Sequence, residues 1–262
     1  MASEPRWLLI GNSRWHWARP TPDGLTVHHS DPPLADSGAG AGAGAGERLA
    51  GLLAWAAVGP LPAAPVLPAE RRLSLAAVPL AAAPAWLGID RALVGWQAWR
   101  HCGGPVLVAD AGTVLSLTRV DAAGAFAGGR LLAGAALQGR AMAAGTTALP
   151  SLPFFSRIVP EPGGAAHPEL ESWPVATAAA MASGVVLGLA DAVAGALLDA
   201  LAAEPQCQLL LTGGDGPALL DPLVRRLERW GLSGRMEHRP ALALEAMAAL
   251  VPDQDRPRSA RI

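Results

Sequence analysis

Pro105-Val106-Leu107-Val108-Ala109-Asp110-Ala111-Gly112-Thr113 is a short apolar run that ends in an acid, a glycine and a hydroxyl. It repeats the form of Trp7-Leu8-Leu9-Ile10-Gly11-Asn12-Ser13, and Gly112 lies 101 residues after Gly11. In each, a strand-length hydrophobic segment runs into a glycine followed by small hydrogen-bonding side chains. Such a turn points backbone N–H groups at whatever lies above it, often a phosphate. Asn12 is the only asparagine in a chain with no lysine and no tyrosine, a bias that reads as GC-rich coding pressure. An amide kept against that pressure is expected to have a task. Two strand-plus-glycine turns about one domain apart predict a duplicated fold that grips a nucleotide from both sides.

Outward from the first turn, Arg14–Ala18 alternates as a half-buried strand, and Leu25–His28 reads as a third strand. The alternating Ala and Gly of residues 38–46 has no side chains to pack and reads as a flexible loop. Glu47–Trp55 has helical spacing, Ala56-Ala57-Val58 reads as a short strand, and Arg72–Leu75 as a weaker one. Arg91–His101 predicts a helix stopped by Gly103-Gly104-Pro105. The second half repeats the plan, with strands at Val106–Ala109, Val114–Val120 and Ala125–Leu132. A long helix over Thr177–Leu201 and a strand at Gln208–Leu211 follow, then helices over Leu219–Trp230 and Leu242–Leu250. These elements predict an α/β chain of two lobes, at residues 1–104 and 105–251, with a disordered tail over 252–262.

Composition narrows the function. The 262 residues are 51% hydrophobic, enough for a substantial core. The net charge is −2 and the basic residues gather only in the tail, so no nucleic-acid partner is expected. Cys102 and Cys207 are isolated and read as reduced, buried thiols. The opening residues do not form a signal peptide, and no uninterrupted apolar stretch of about 18 residues is evident. A cytoplasmic protein without a membrane span is the expectation.

With no lysine in the chain, a Walker-type loop is excluded, and no GxGxxG follows a strand. What remains are Gly11-Asn12-Ser13, Gly112-Thr113 and Thr212-Gly213-Gly214. One such turn alone is an ordinary strand end. Two phosphate-clamping turns and a third glycine pair beside the adenine make the pattern of the actin, hexokinase and Hsp70 ATPase fold. Gly88-Ile89-Asp90-Arg91 sets a carboxylate beside a guanidinium at a helix start. Arg91 suits a substrate carboxylate as a planar fork, and Asp90 suits the proton of an attacking hydroxyl. The plainer reading is an N-capping Asp with a surface Arg.

The chain resembles the type III pantothenate kinases, including the branch once called Bvg accessory factor homologues. The resemblance rests on Ile10-Gly11-Asn12-Ser13, Leu87-Gly88-Ile89-Asp90-Arg91 and Asp110-Ala111-Gly112-Thr113. It continues through Gly124, Gly128-Gly129, Ala148-Leu149-Pro150, Thr177 to Gly184 and Thr212-Gly213-Gly214. The most specific part is Gly-x-Asp-Arg with its Asp90 20 residues before the Asp110 of Asp-x-Gly-Thr. The resemblance implies two duplicated ribonuclease H-like lobes and ATP-dependent phosphorylation of pantothenate, the first step of coenzyme A synthesis. It implies that Asp90 is the general base and that Gly88, Ile89, Asp90, Arg91 and Thr177 line the pantothenate site. Gly11, Asn12, Ser13, Gly112, Thr113, Gly213 and Gly214 would face ATP. Asp110 would hold metal, with Mg²⁺ and a monovalent cation (K⁺ or NH₄⁺) as cofactors. A homodimer is implied, with the long second-lobe helix at its interface.

Several positions depart from the family. Leu9 stands where the first turn usually carries an Asp, Thr118 where many relatives have an Asp, and Ala176 where an Asn is frequent. The tyrosine usual before the Gly-x-Asp-Arg motif is absent. Two other readings therefore stand beside the kinase: a catalytically weakened relative that binds nucleotide or a partner, and a sugar or acid kinase of the same fold. Trp15-His16-Trp17 reads as cross-strand packing, with His16 at the phosphate side as the less favoured alternative. His28-His29 has no partner at metal-ligand spacing and reads as a solvated loop rather than a zinc site.

Overall fold

The computed structural model describes residues 6–22, 24–31, 49, 51–59, 61, 66–152 and 170–253. They divide into two compact units, residues 1–97 with 241–262 and residues 98–240.

In the first unit, β1 (Trp7–Ile10), β2 (Trp15–Thr21), β3 (Gly24–Ser30) and β4 (Ala54–Ala57) form a sheet of order β3-β2-β1-β4. All four residues of β1 are buried, as a central strand covered on both faces requires. β2 is antiparallel to β1, with Leu9 opposite His16, and β4 is parallel to it, with Leu9 opposite Ala56. Leu8, Ile10, Trp15, Trp17, Leu52 and Trp55 form the core. Helix α1 (Ile89–Cys102) follows, and the division between the units falls within it.

The second unit holds β5 (Val106–Ala111), β6 (Val114–Val120), β7 (Phe126–Ala133), β8 (Gln208–Thr212) and β9 (Met236–His238), in the order β7-β6-β5-β8-β9. β5 to β7 form an antiparallel meander, while β8 is parallel to β5 and β9 to β8. The first sheet has the same plan without its last strand, so the two lobes are duplicated ribonuclease H-like units. The unit also holds α2 (Ala135–Gly145), α3 (Thr177–Ala203) and α4 (Gly216–Glu228). Val185, Leu189, Val193 and Leu197 of α3 pack with Leu107, Leu117, Leu209 and Leu211 in its core.

Several expectations change. The stretch read as helix through Trp55 is strand where it is described from Ala54 onward. Trp55 is buried opposite Leu8, and its Nε1 donates to the Pro68 carbonyl at 2.7 Å, so tertiary pairing overrides local spacing. Arg72–Leu75 contributes one isolated bridge, Arg72 to Trp55, between two 3₁₀ turns. Helix α2 and strand β9 were not anticipated. Gly139 and Gly145 interrupt the α2 pattern, and Gly134 caps it without a side-chain bond.

The chain end changes as well. Helix α5 (Leu242–Leu250), read as part of the second lobe, belongs to the first. Trp7 Nε1 donates to the Val251 carbonyl at 2.9 Å, and Arg6 pairs with Asp253 at 3.3 Å. Asp253 is buried, so the ordered chain runs past the expected start of the tail at Pro252. Residues 254–262 lie outside the described residues, as does the Ala-Gly run at 38–46. Contrary to the composition argument, α3 is long and apolar enough to cross a membrane. Half of its most apolar window is buried within the protein.

Candidate active site

The first turn follows from β1 ending at Ile10. The Gly11 N–H donates to the Arg14 carbonyl at 2.9 Å, closing a tight loop that leaves Asn12 and Ser13 exposed. The end of β4 closes over this loop. The Val58 N–H donates to the Ile10 carbonyl at 2.9 Å, and a Cβ on Gly59 would collide with the Gly11 carbonyl oxygen. A glycine is needed there because backbone meets backbone.

The second and third turns come together in the second unit. Asp110, near the end of β5, pairs with Ser116 on β6 and Thr212 on β8. The Asp215 N–H donates to the Ala111 carbonyl at 2.8 Å, which ties the two loops. Gly213 has φ +90°, and a Cβ there would strike both the Ala111 carbonyl oxygen and Asp110 Oδ1. Gly134 closes on the Gly112–Thr113 turn in the same way, its N–H donating to the Thr113 carbonyl at 3.0 Å. The Gly112–Thr113 and Gly213–Gly214 turns are thus brought together at the end of β5, with Gly213 against Asp110.

This cluster fits a cation. Asp110 supplies a carboxylate, and the Ser116 hydroxyl on the opposite strand is buried without a hydrogen-bond partner. Hard cations take oxygen donors of this kind. Ser116 carried no signal in the sequence, because only the strand register puts it opposite Asp110.

Gly88 precedes α1, and the Ala92 N–H donates to the Gly88 carbonyl at 3.1 Å. The Asp90 carboxylate folds back over Gly88: an added Cβ would lie 2.5 Å from Asp90 Oδ1. Burial raises the Asp90 pKa, while hydrogen bonds from the Arg91 and Asp90 backbone N–H groups and the charge of Arg91 act against the rise. A carboxylate held less acidic than usual, at a helix N-terminus and beside a guanidinium, is suited to accept a hydroxyl proton. Arg91 is half-buried, and desolvation lowers its pKa against the pull of Asp90. Thr177 is the exposed first residue of α3 in the second unit, and Ala176, the N-cap, provides no side-chain bond.

The histidines divide. His28 stacks on Trp17, with ring centroids 6.2 Å apart. His16 Nδ1 meets His29 Nδ1 at 2.9 Å across β2 and β3. No group of three or more His, Cys, Asp or Glu is placed to hold a metal ion among the described residues. Both thiols are free, and burial pushes Cys102 and Cys207 up to about 11, so neither is primed as a nucleophile.

The type III pantothenate kinase family profile matches residues 61–198. A type III pantothenate kinase of Synechococcus elongatus is 36% identical over 227 residues, covering 81% of this chain and 85% of that protein. One from Thermosynechococcus vestitus is 38% identical over 229 residues, covering 85% and 83%. Among solved structures, a putative Baf family transcriptional activator from Campylobacter jejuni superposes with a TM-score of 0.54 at 15% identity. That match covers 94% of this chain and 96% of the other, and it speaks for the fold alone.

Proposed function

The chain belongs to the type III pantothenate kinase family and phosphorylates pantothenate with ATP, and from that premise we propose which residues perform each step. The observation that carries the assignment is Asp90, a carboxylate whose pKa burial raises, folded over Gly88 at the start of α1. Asp90 takes the proton of the primary hydroxyl as that oxygen attacks the γ-phosphorus, and the bond to the bridging oxygen of ADP breaks. Arg91 holds the pantothenate carboxylate, Gly88 and Ile89 shape the backbone around it, and Thr177 adds a hydroxyl contact. Gly11, Asn12 and Ser13 present N–H and side-chain donors to phosphate, as do Gly112 and Thr113, while Gly213 and Gly214 leave room for the nucleoside.

Mg²⁺ carried with ATP, and K⁺ or NH₄⁺, would supply positive charge for the transferring phosphoryl group. Asp110, with Ser116 opposite it, is the group of this chain that fits such a cation. Leu9 leaves the first turn without a carboxylate, so Asp110 carries that task alone. We place the enzyme in the cytoplasm as a homodimer.

Coupled ADP release with pantothenate, set against acetate, hexoses and glycerol, tests the reading. Turnover is expected with pantothenate and background rates with the others. Turnover on a hexose with none on pantothenate would overturn it. The reading as a weakened relative gains no support from these findings.

A further inference from the structure

In the first lobe, Leu9 faces His16 across the β1–β2 pair. In the second lobe the corresponding rung is Asp110 with Ser116. The same place in the two turns thus holds an acid with a hydroxyl in one lobe, and a leucine with an imidazole in the other. His16 Nε2 lies beside the glycine of its turn, 3.3 Å from where a Cβ of Gly11 would be. Its other nitrogen, Nδ1, is 2.9 Å from His29 Nδ1, and the two rings meet edge to face. The ring is therefore held at one nitrogen and offers the other to the turn.

Two ring nitrogens at hydrogen-bond distance require one N–H and one lone pair. If His29 donates, His16 carries its proton on Nε2 and presents a donor to the turn. If His16 donates, Nε2 presents a bare lone pair, which a phosphate oxygen repels. A phosphate bound at the turn calls for the first arrangement. His16 is the more desolvated ring, its pKa lowered to about 4 by burial and then by His29 and Arg14. His29 is the more exposed ring, and partial desolvation and then Arg14 lower it as well. Both rings are thus held toward the neutral form that a shared hydrogen bond needs, and a phosphate oxygen at the turn selects the tautomer with the proton on His16 Nε2.

Resting on the kinase reading, we propose that His16 is a nucleotide-phosphate donor of the first turn, with its Nε2–H directed at a phosphate oxygen beside Gly11, and that His29 is a positioning residue that fixes its tautomer. Arg14, at the end of the same turn, sets a positive charge near both rings and disfavours their protonation.

The test compares His16→Asn with His16→Gln by titrating ATP, ADP and adenosine without pantothenate. A glutamine amide reaches the place of Nε2 and an asparagine amide the place of Nδ1. His16→Asn is expected to weaken ATP and ADP binding about tenfold, the loss of one hydrogen bond to a charged group, and to leave adenosine unchanged. His16→Gln is expected to stay within about threefold of the unaltered protein, and His29→Leu to weaken ATP binding only when His16 is present. Nitrogen NMR of the imidazoles is expected to show His16 protonated on Nε2. Equal weakening of ATP and adenosine, a His29→Leu effect that persists in His16→Asn, or an Nδ1–H tautomer at His16 overturns the proposal. Should His16→Asn fail to fold, the tautomer and the exposed His29→Leu variant still decide it. If the unaltered protein binds no ATP, the kinase reading falls and takes this proposal with it. ATP affinity untouched in His16→Asn removes this proposal alone.

Discussion

Asp90 carries two opposed consequences of one environment. Desolvation raises its pKa, so in the folded protein it binds a proton more tightly than in the unfolded chain. Between the unfolded and folded pKa values the native state holds the extra proton, and stability falls as pH rises through that window. Above it the ionised, partly buried carboxylate is a burden on the fold but the required form of the base. Asp90→Asn is therefore expected to lower turnover about 10²- to 10⁴-fold. At neutral pH it should also keep or raise the melting temperature, as thermal unfolding beside the ADP assay would show. The activity of the unaltered enzyme should fall on the acid side at a pH above the ordinary aspartate range. At Arg91 the prediction turns on shape: Arg91→Lys keeps the charge but loses the planar fork. It should raise KM for pantothenate more than KM for ATP, and steady-state kinetics with equal increases would place Arg91 elsewhere.

The turns depend on glycine where two backbones touch. Gly213 combines a left-handed φ of +90° with a Cβ position occupied by Asp110 Oδ1 and the Ala111 carbonyl. Gly213→Ala is expected to cost about 1–3 kcal/mol and to displace Asp110, weakening nucleotide binding together with stability. Gly188, mid-way along α3, is exposed and has nothing within 4 Å of its Cβ position. Gly188→Ala should instead stabilise by about 0.5–1 kcal/mol, since a helical glycine wastes backbone entropy. Denaturant unfolding of the two variants separates a glycine needed for approach from one that is merely tolerated. The element boundaries show the same division. α1, α3, α5 and β6 were legible because their apolar period or flanking breakers are local. β9, α2 and the first half of β4 were not, since Trp55 is a strand residue through its pairing with Leu8, and Met236 through its pairing with Leu209.

Across the whole molecule, the chain end returns to the lobe where the chain began. α5, Val251 and Asp253 serve Trp7 and Arg6, 244 residues away in the case of the Trp7–Val251 bond. A chain ending at Pro240 is expected to lose the cooperative unfolding of the first lobe while the second keeps its protection from hydrogen exchange. Equal protection of both lobes in that truncation would show that α5 is dispensable. By itself, the sequence determined the duplicated α/β plan, the order of the three glycine turns, the Gly88–Arg91 motif and the family. Each of these is written in contiguous residues, where composition and spacing act directly. Only the tertiary structure decided that α5 belongs to the first lobe, that Ser116 stands opposite Asp110, and that His16 shares a rung with Leu9 and leans on His29. Those are facts of strand register and long-range packing, and register is set by which faces are buried once the sheets form, not by any residue's neighbours along the chain.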